Sequence, residues 1–202
     1  MEQQTFDPLA LEKEAHRAGY AVVCGADEAG AGPLAGAVFA AAVVLPEHYD
    51  LPYLTDSKKV TPKRREVLFD QIREQALGWA LASVDEKEID EINILNARLK
   101  AMDMAIHQLN PLPDFALIDG NRDKGITVPH RTVIHGDSLS ASISAASILA
   151  KVSRDRYMLE MAERYPEYHF EQHKGYGTKL HYEMLRKYGP CPIHRLTFLK
   201  KL

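Results

Sequence analysis

The stretch YAVVCGADEAGAGPLAGA, residues 20–37, decides how the rest of the chain is read. It begins with a short run of β-branched and small apolar residues, 21–24, the pattern of a buried strand. Two adjacent acids, Asp27 and Glu28, close the run, and a cluster of small residues follows: Gly30, Ala31, Gly32, Pro33 and Gly36. Charged side chains are seldom fully buried without a counter-charge or a metal. Glycines let a backbone or a ligand come close, because they carry no Cβ. Taken alone, these residues fit a solvated acidic turn, or a metal–carboxylate site beside a loop that touches something phosphate-bearing.

Working outward, residues 7–17 read as a short helix, with Asp7 able to cap it and Pro8 suited to its first turn. Residues 36–45 form a second apolar strand, and the close spacing through the glycine loop predicts an antiparallel pair. Thr61-Pro62 opens a helix to about residue 76, residues 78–84 make a third strand, and 85–90 an acidic turn or short helix. Apolar residues at 95, 99, 102, 106 and 109 have the spacing of an amphipathic helix. Two further short strands, 115–118 and 131–134, run toward Asp119 and toward His135-Gly136-Asp137. A long helix is predicted over 138–165, stopped by Pro166, and a last one over 178–187, ended by Gly189-Pro190. This order predicts an α/β fold whose mixed sheet begins as a meander and continues with parallel strands.

At 202 residues the chain can bury a sizeable core. No apolar run reaches the ~18 residues of a membrane span, and the polar N-terminus lacks the pattern of a signal peptide. Two cysteines, Cys24 and Cys191, make no disulfide framework and fit a reducing cytoplasm. A net charge of −3 is no nucleic-acid signature, but it excludes none, because steering depends on local patches.

Three times an apolar strand runs into an acid: at Asp27/Glu28, at Asp119 and at Asp137. In open α/β sheets, ligand sites gather beyond the carboxyl ends of the strands. Carboxylates delivered together there would repel one another by about 4 kcal/mol per close pair at an effective dielectric near 20. Divalent cations resolve that repulsion, and all-oxygen ligands favour Mg²⁺ or Mn²⁺ over zinc. Basic residues recur nearby in sequence: Lys58, Lys59, Lys63, Arg64 and Arg65, then Lys151, Arg154 and Arg156, then His173 and Lys174. They suit a polyanionic backbone, or simply a solvated helix face. Tyr176, between glycines in HKGYG, could stack on a sugar or base, or could be a turn tyrosine packed on the core.

The segments GADEAGAGPLAGAV (25–38), DSKK (56–59), EIDEINILNA (88–97), LIDGN (117–121), GDS (136–138), ISAASILAKVSRDR (143–156) and HKGYGT (173–178) closely resemble bacterial type 2 ribonuclease H, ribonuclease HII. The resemblance spans nearly the whole chain. It implies a ribonuclease H-like mixed five-stranded sheet flanked by helices, one catalytic domain over 1–202, and a small helical C-terminal region from about 166 that completes the substrate site. It implies cleavage of the RNA strand of RNA–DNA hybrids and incision 5′ to single ribonucleotides in duplex DNA, giving a 3′-hydroxyl and a 5′-phosphate. Asp27, Glu28, Asp119 and Asp137 fall on the family's catalytic, metal-binding acids, holding Mg²⁺ or Mn²⁺, two ions with substrate bound. Substrate contacts are implied at Gly30, Ala31, Gly32, Ser57, Lys58, Lys59, Lys174 and Tyr176, the tyrosine sensing the ribonucleotide. The implied protein is a cytoplasmic monomer whose partner is nucleic acid, not membrane.

Two departures stand out. The family's glycine-arginine-glycine loop is here Gly30-Ala31-Gly32, and the lysine common before the Gly-Asp pair is His135. Both remove basic character near the substrate. They leave open an alternative, a non-catalytic or weakened hybrid-binding protein, against which the four intact acids stand.

Overall fold

The structure, a computed structural model, describes residues 6–54 and 57–200; Asp56 of the DSKK segment lies outside the described residues. In chain order the elements are α1 (Ala10–Arg17), β1 (Val23–Ala29), β2 (Val38–Val44), α2 (Pro62–Gln75), β3 (Gly78–Val84), α3 (Glu86–Ile92), α4 (Ile94–His107), β4 (Phe115–Asp119), β5 (His130–Val133), α5 (Gly136–Leu139), α6 (Ala141–Arg164), α7 (Phe170–His173) and α8 (Lys179–Tyr188). Short 3-10 turns at Pro166–Tyr168 and Leu196–Phe198 complete them.

The five strands form one sheet in the order β3-β2-β1-β4-β5. β1, β2 and β3 pair antiparallel, whereas β4 lies parallel to β1, and β5 parallel to β4. The mixed sheet expected from the element order is the one that forms. β1 sits at its centre, where the meander meets the parallel half.

Side chains alternate across a strand, so the sheet has two buried faces. On one, Cys24, Ala26, Ala40 and Ala42 meet Leu99, Met102 and Ile106 of α4. On the other, Ala41 and Val43 meet Ile72 of α2 and Ile148 and Leu149 of α6. The alanines of β2 keep both layers thin. Gly25 does the same for β1: a Cβ there would stand 2.2 Å from the Ile143 nitrogen, so α6 can cross this point only against a glycine.

Local signals explain the boundaries. Thr61 Oγ1 accepts from the Arg64 N–H at 3.4 Å and Pro62 occupies the first turn of α2. Asn93, at φ 65°, separates α3 from α4 and caps the latter through the Leu95 and Asn96 N–H groups. The long helix begins at Ala141, later than the expected 138, because Ser140 is extended and its Oγ accepts from the Ile143 N–H. β1 runs longer than expected, through both acids to Ala29.

The segment after α6 packs around Leu34, Ala35, Met158, Phe170, Leu185 and Ile193. It is tied to the glycine-rich loop by backbone hydrogen bonds from Leu34 N–H to Gly175 O and from Gly36 N–H to Ile193 O, each 2.8 Å. Among the described residues no helix is long and apolar enough to cross a membrane.

Candidate active site

Because β1 continues through Asp27 and Glu28, these neighbours point to opposite faces of the sheet. Asp27 is buried on the α6 side, beside Ser147. Glu28 points to the α4 side, where Arg98 Nη1 lies 3.3 Å from Oε1. Asp119 ends β4, one residue beyond the Ala26–Ile118 pair, and so arrives level with the β1 acids. Its Oδ1 accepts the Gly136 N–H at 2.8 Å, which pins the turn carrying Asp137. Asp137 is buried in α5 and lines a neighbouring cavity with Tyr49, Tyr53 and Ser144, not the cleft that holds the other acids.

That cleft, about 330 Å³, is lined by Asp27, Glu28, Gly30, Ala31, Gly32, Ser57, Lys58, Asp119, Ser147, Lys151, Arg154 and Tyr176, among others. Of the residues singled out from sequence, Lys59 and Lys174 are not among the described residues lining it. Lys59 is exposed, and Lys174 Nζ donates to the Glu171 carbonyl.

Burial, with the Glu28 and Asp119 charges behind it, pushes the Asp27 carboxyl well above the usual carboxylate range. Glu28 is raised by burial too; Arg98 opposes that rise, while the Asp119 charge adds to it. Glu28 Oε2 is buried without a hydrogen-bond partner. Among the described residues no three acids, histidines or cysteines form a ready-made cation cage. An all-oxygen set with crowded charge and a spare carboxylate oxygen still fits Mg²⁺ or Mn²⁺, which commonly take one or two carboxylates and complete their shell with water and phosphate oxygens. Asp27, Glu28 and Asp119 can supply those carboxylates, and Asp137 follows directly on Gly136, whose N–H Asp119 accepts.

The glycine loop is held from behind. Arg195, fully buried, donates Nε to Gly36 O (2.9 Å), Nη1 to Ala31 O (3.1 Å) and Pro33 O (2.9 Å), and Nη2 to Gly30 O and Gly36 O (2.7 Å each). Charge-assisted hydrogen bonds of this kind contribute about 1.5–3 kcal/mol each. Gly30 has φ +99°, and a Cβ on it would meet Arg154 Nε at 2.1 Å. The loop is thus rigid, and its missing arginine side chain at Ala31 removes a guanidinium without removing the path.

The basic residues divide by role. Lys58, Lys151 and Arg154 line the cleft. Arg154 lies 5.8 Å from the Tyr176 ring centroid, donates Nη2 to Ala35 O at 3.2 Å, and has Nε and Nη1 buried without partners. Arg65 instead closes its own loop, donating to Ser57 O (2.8 Å) and Val60 O (2.7 Å), and Arg156 pairs with Glu66. Ser147 Oγ donates to Ser57 Oγ at 2.9 Å, tying that loop to the Asp27 neighbourhood. Tyr176 is half-exposed in the cleft mouth, its ring 3.7 Å from where a Gly32 Cβ would stand. Sequence reasoning missed Arg98, Arg195 and Ser147; the last lies inside the matched segment 143–156, whereas nothing local marks the arginines.

Residues 24–201 match the protein family described as Ribonuclease HII. The chain is 53% identical over 192 residues to a Ribonuclease HII of Caldicellulosiruptor bescii, covering 95% of this chain and 93% of that one. It is 53% identical over 189 residues to that of Acetivibrio thermocellus, covering 94% and 74%. Among solved structures it is similar to the ribonuclease H2 from Pyrococcus horikoshii OT3, with a TM-score of 0.72 and 27% identity over 88% of this chain and 93% of that one.

Proposed function

The chain belongs to the ribonuclease HII family of endonucleases, and on that premise we propose that it cleaves the RNA strand of RNA–DNA hybrids and cuts 5′ to single ribonucleotides embedded in duplex DNA, in the cytoplasm, leaving a 3′-hydroxyl and a 5′-phosphate. The observation that carries this reading is one cleft holding Asp27, Glu28 and Asp119 against a rigid glycine loop and a half-exposed tyrosine.

In this reading Asp27, Glu28, Asp119 and Asp137 hold two divalent cations, Mg²⁺ or Mn²⁺. Cations bound there supply Lewis-acid activation of water and charge neutralisation at the departing 3′-oxygen. The chain's own groups do the rest. Lys58, Lys151 and Arg154 attract the phosphodiester backbone. The loop at Gly30–Gly32 brings backbone close to the ribose, whose 2′-hydroxyl distinguishes RNA from DNA. Tyr176, beside Gly32, packs on the same ribonucleotide. A hybrid-binding protein without catalysis would gain nothing from carboxylates kept buried beside one another, a costly arrangement without cations.

The test is incubation with a DNA duplex carrying one ribonucleotide, with Mg²⁺, with Mn²⁺ and with chelator. A single cut 5′ to the ribonucleotide, absent in chelator, is expected. Binding without any cut in either metal would overturn the cleavage reading.

A further inference from the structure

Beneath the Gly175-Tyr176-Gly177 turn lie three buried histidines, His173, His181 and His194, that the phosphodiester chemistry does not use. For neutral rings, the protons of His181 and His194 can be placed from two backbone partners and the contact between the rings. His181 Nδ1 is 2.9 Å from the Tyr176 carbonyl, which only accepts, so Nδ1 carries a proton. Its Nε2 is then an acceptor, and His194 Nε2, 3.0 Å away, must donate to it. That leaves His194 Nδ1 unprotonated, and it accepts the Cys191 N–H at 2.9 Å. The Cys191 carbonyl, 3.2 Å from the same nitrogen, is then a contact and no hydrogen bond. One proton order satisfies every link: Cys191 N–H to His194, His194 to His181, His181 to Tyr176.

His173 grips the other end of the dipeptide. Its Nε2 donates to Tyr168 O (2.9 Å), and its Nδ1 accepts the Gly175 N–H (3.2 Å). The ring stacks on His181 at 4.4 Å. The surroundings are apolar rings: Phe170 faces His181 at 5.5 Å, and Tyr168 faces His194 at 5.0 Å. In such a low-dielectric setting, consecutive hydrogen bonds polarise one another and become directional.

We propose that His181 and His194 are positioning residues that set the pose of Tyr176 in the substrate cleft. This deepens the reading of Tyr176 as the ribonucleotide contact and rests on it. The physical reason is that Tyr176 has glycines on both sides and a half-exposed ring, so its direction is set through its backbone. Histidine nitrogens hold that backbone at the Tyr176 carbonyl and the Gly175 N–H, beside main-chain bonds from Tyr176 N–H to His173 O, Thr178 N–H to Tyr176 O and Leu34 N–H to Gly175 O.

Asparagine and glutamine at 194 separate the links. His194→Asn keeps an oxygen for the Cys191 N–H but is too short to reach His181. His194→Gln offers an acceptor and a donor at nearly the imidazole spacing. The readout is anisotropy of chelated protein on a duplex with one ribonucleotide against the same all-DNA duplex, which is independent of turnover. His194→Asn is expected to lower the preference for the ribonucleotide duplex by about fivefold, the scale of one hydrogen bond. His194→Gln is expected to restore it, and His194→Asn should add nothing in a Tyr176→Ala background.

Circular-dichroism melts check that each variant is folded. If His194→Asn does not fold, His181→Leu, which cannot donate to the Tyr176 carbonyl, takes its place: a lowered preference in folded protein supports the pair, and a full preference overturns it. Loss of preference in Tyr176→Ala with none in His194→Asn overturns the positioning role alone. So does an additive loss in the double variant. A full preference in Tyr176→Ala removes the tyrosine reading itself, and the pair's purpose with it.

Discussion

The acid end of β1 and the histidine layer under Tyr176 are both buried, polar and close to the same cleft, yet they are built in opposite ways. Around Asp27 and Glu28 three carboxylates crowd together with Arg98 set against Glu28, burial raises both β1 carboxyls, and Glu28 Oε2 has no hydrogen-bond partner. Around His181 and His194 the side chains are neutral, and all four ring nitrogens have a partner. The first region is left electrostatically incomplete where a ligand would complete it. The second is complete, which suits a part that must hold position. Frustration sits where chemistry is to happen, and consistency surrounds it.

The largest break in this contrast is Asp119→Asn. Asparagine keeps an oxygen for the Gly136 N–H but removes a charge facing Asp27 and Glu28. Cleavage should fall by on the order of 10³-fold, since a metal-held charge is worth several kcal/mol in the transition state. Hybrid binding should persist, and the chelated variant should melt no lower than the parent, because repulsion is relieved. Turnover at the parent's rate would remove Asp119 from the site.

A smaller effect sharpens the other side. Burial first, with the neighbouring histidine charges adding to it, pulls His181 from an ordinary value of 6.5 down to about 4; burial does the same to His194. Between those values the unfolded chain binds protons that the folded chain refuses, so stability rises with pH from about 4 to 6.5 and is lost as the pH falls through that window. The raised carboxyls act with the opposite sign, favouring the fold at low pH. Melting temperatures of chelated protein across this range should climb less steeply in His194→Gln, which has one fewer group to protonate. An identical slope in parent and variant would mean that other groups set the acid limb.

The smallest effect lies between the two regions, at Ala31. The loop's carbonyls are already clamped by Arg195, so Ala31→Arg should leave the backbone path alone and add one phosphate contact. KM on a single-ribonucleotide duplex should fall, and its salt slope steepen by about one unit or less. The maximal rate should stay put unless the contact also aligns the scissile phosphate. Unchanged KM and slope would show that the cleft's buried cation, Arg154, already fills that role.

Much of this was legible in residues 20–37 and the segments that echo them. Apolar runs ending at acids marked three of the sheet's strands, and small-residue spacing marked the loop. Cap and breaker residues such as Thr61, Pro62 and Pro166 marked helix ends to within a few residues. Long-range partners left no such trace. Spacing along the chain groups Arg65 with basic residues that suit either a polyanionic backbone or a solvated helix face, whereas in the structure it closes its own turn.

The sequence by itself determined which groups are available: acids at strand ends, a loop with little side chain, a tyrosine between glycines, histidines nearby in the chain. Local periodicity and backbone preference are enough for that, because they act over a few residues. Only the tertiary structure decided which face each acid takes, that Asp137 opens on a separate cavity, that Arg195 clamps a loop more than 150 residues away, and that His181 and His194 share one proton order. Those outcomes depend on strand register and on the close crossing of α6 at Gly25, where distances of a few ångströms select partners that spacing along the chain does not encode.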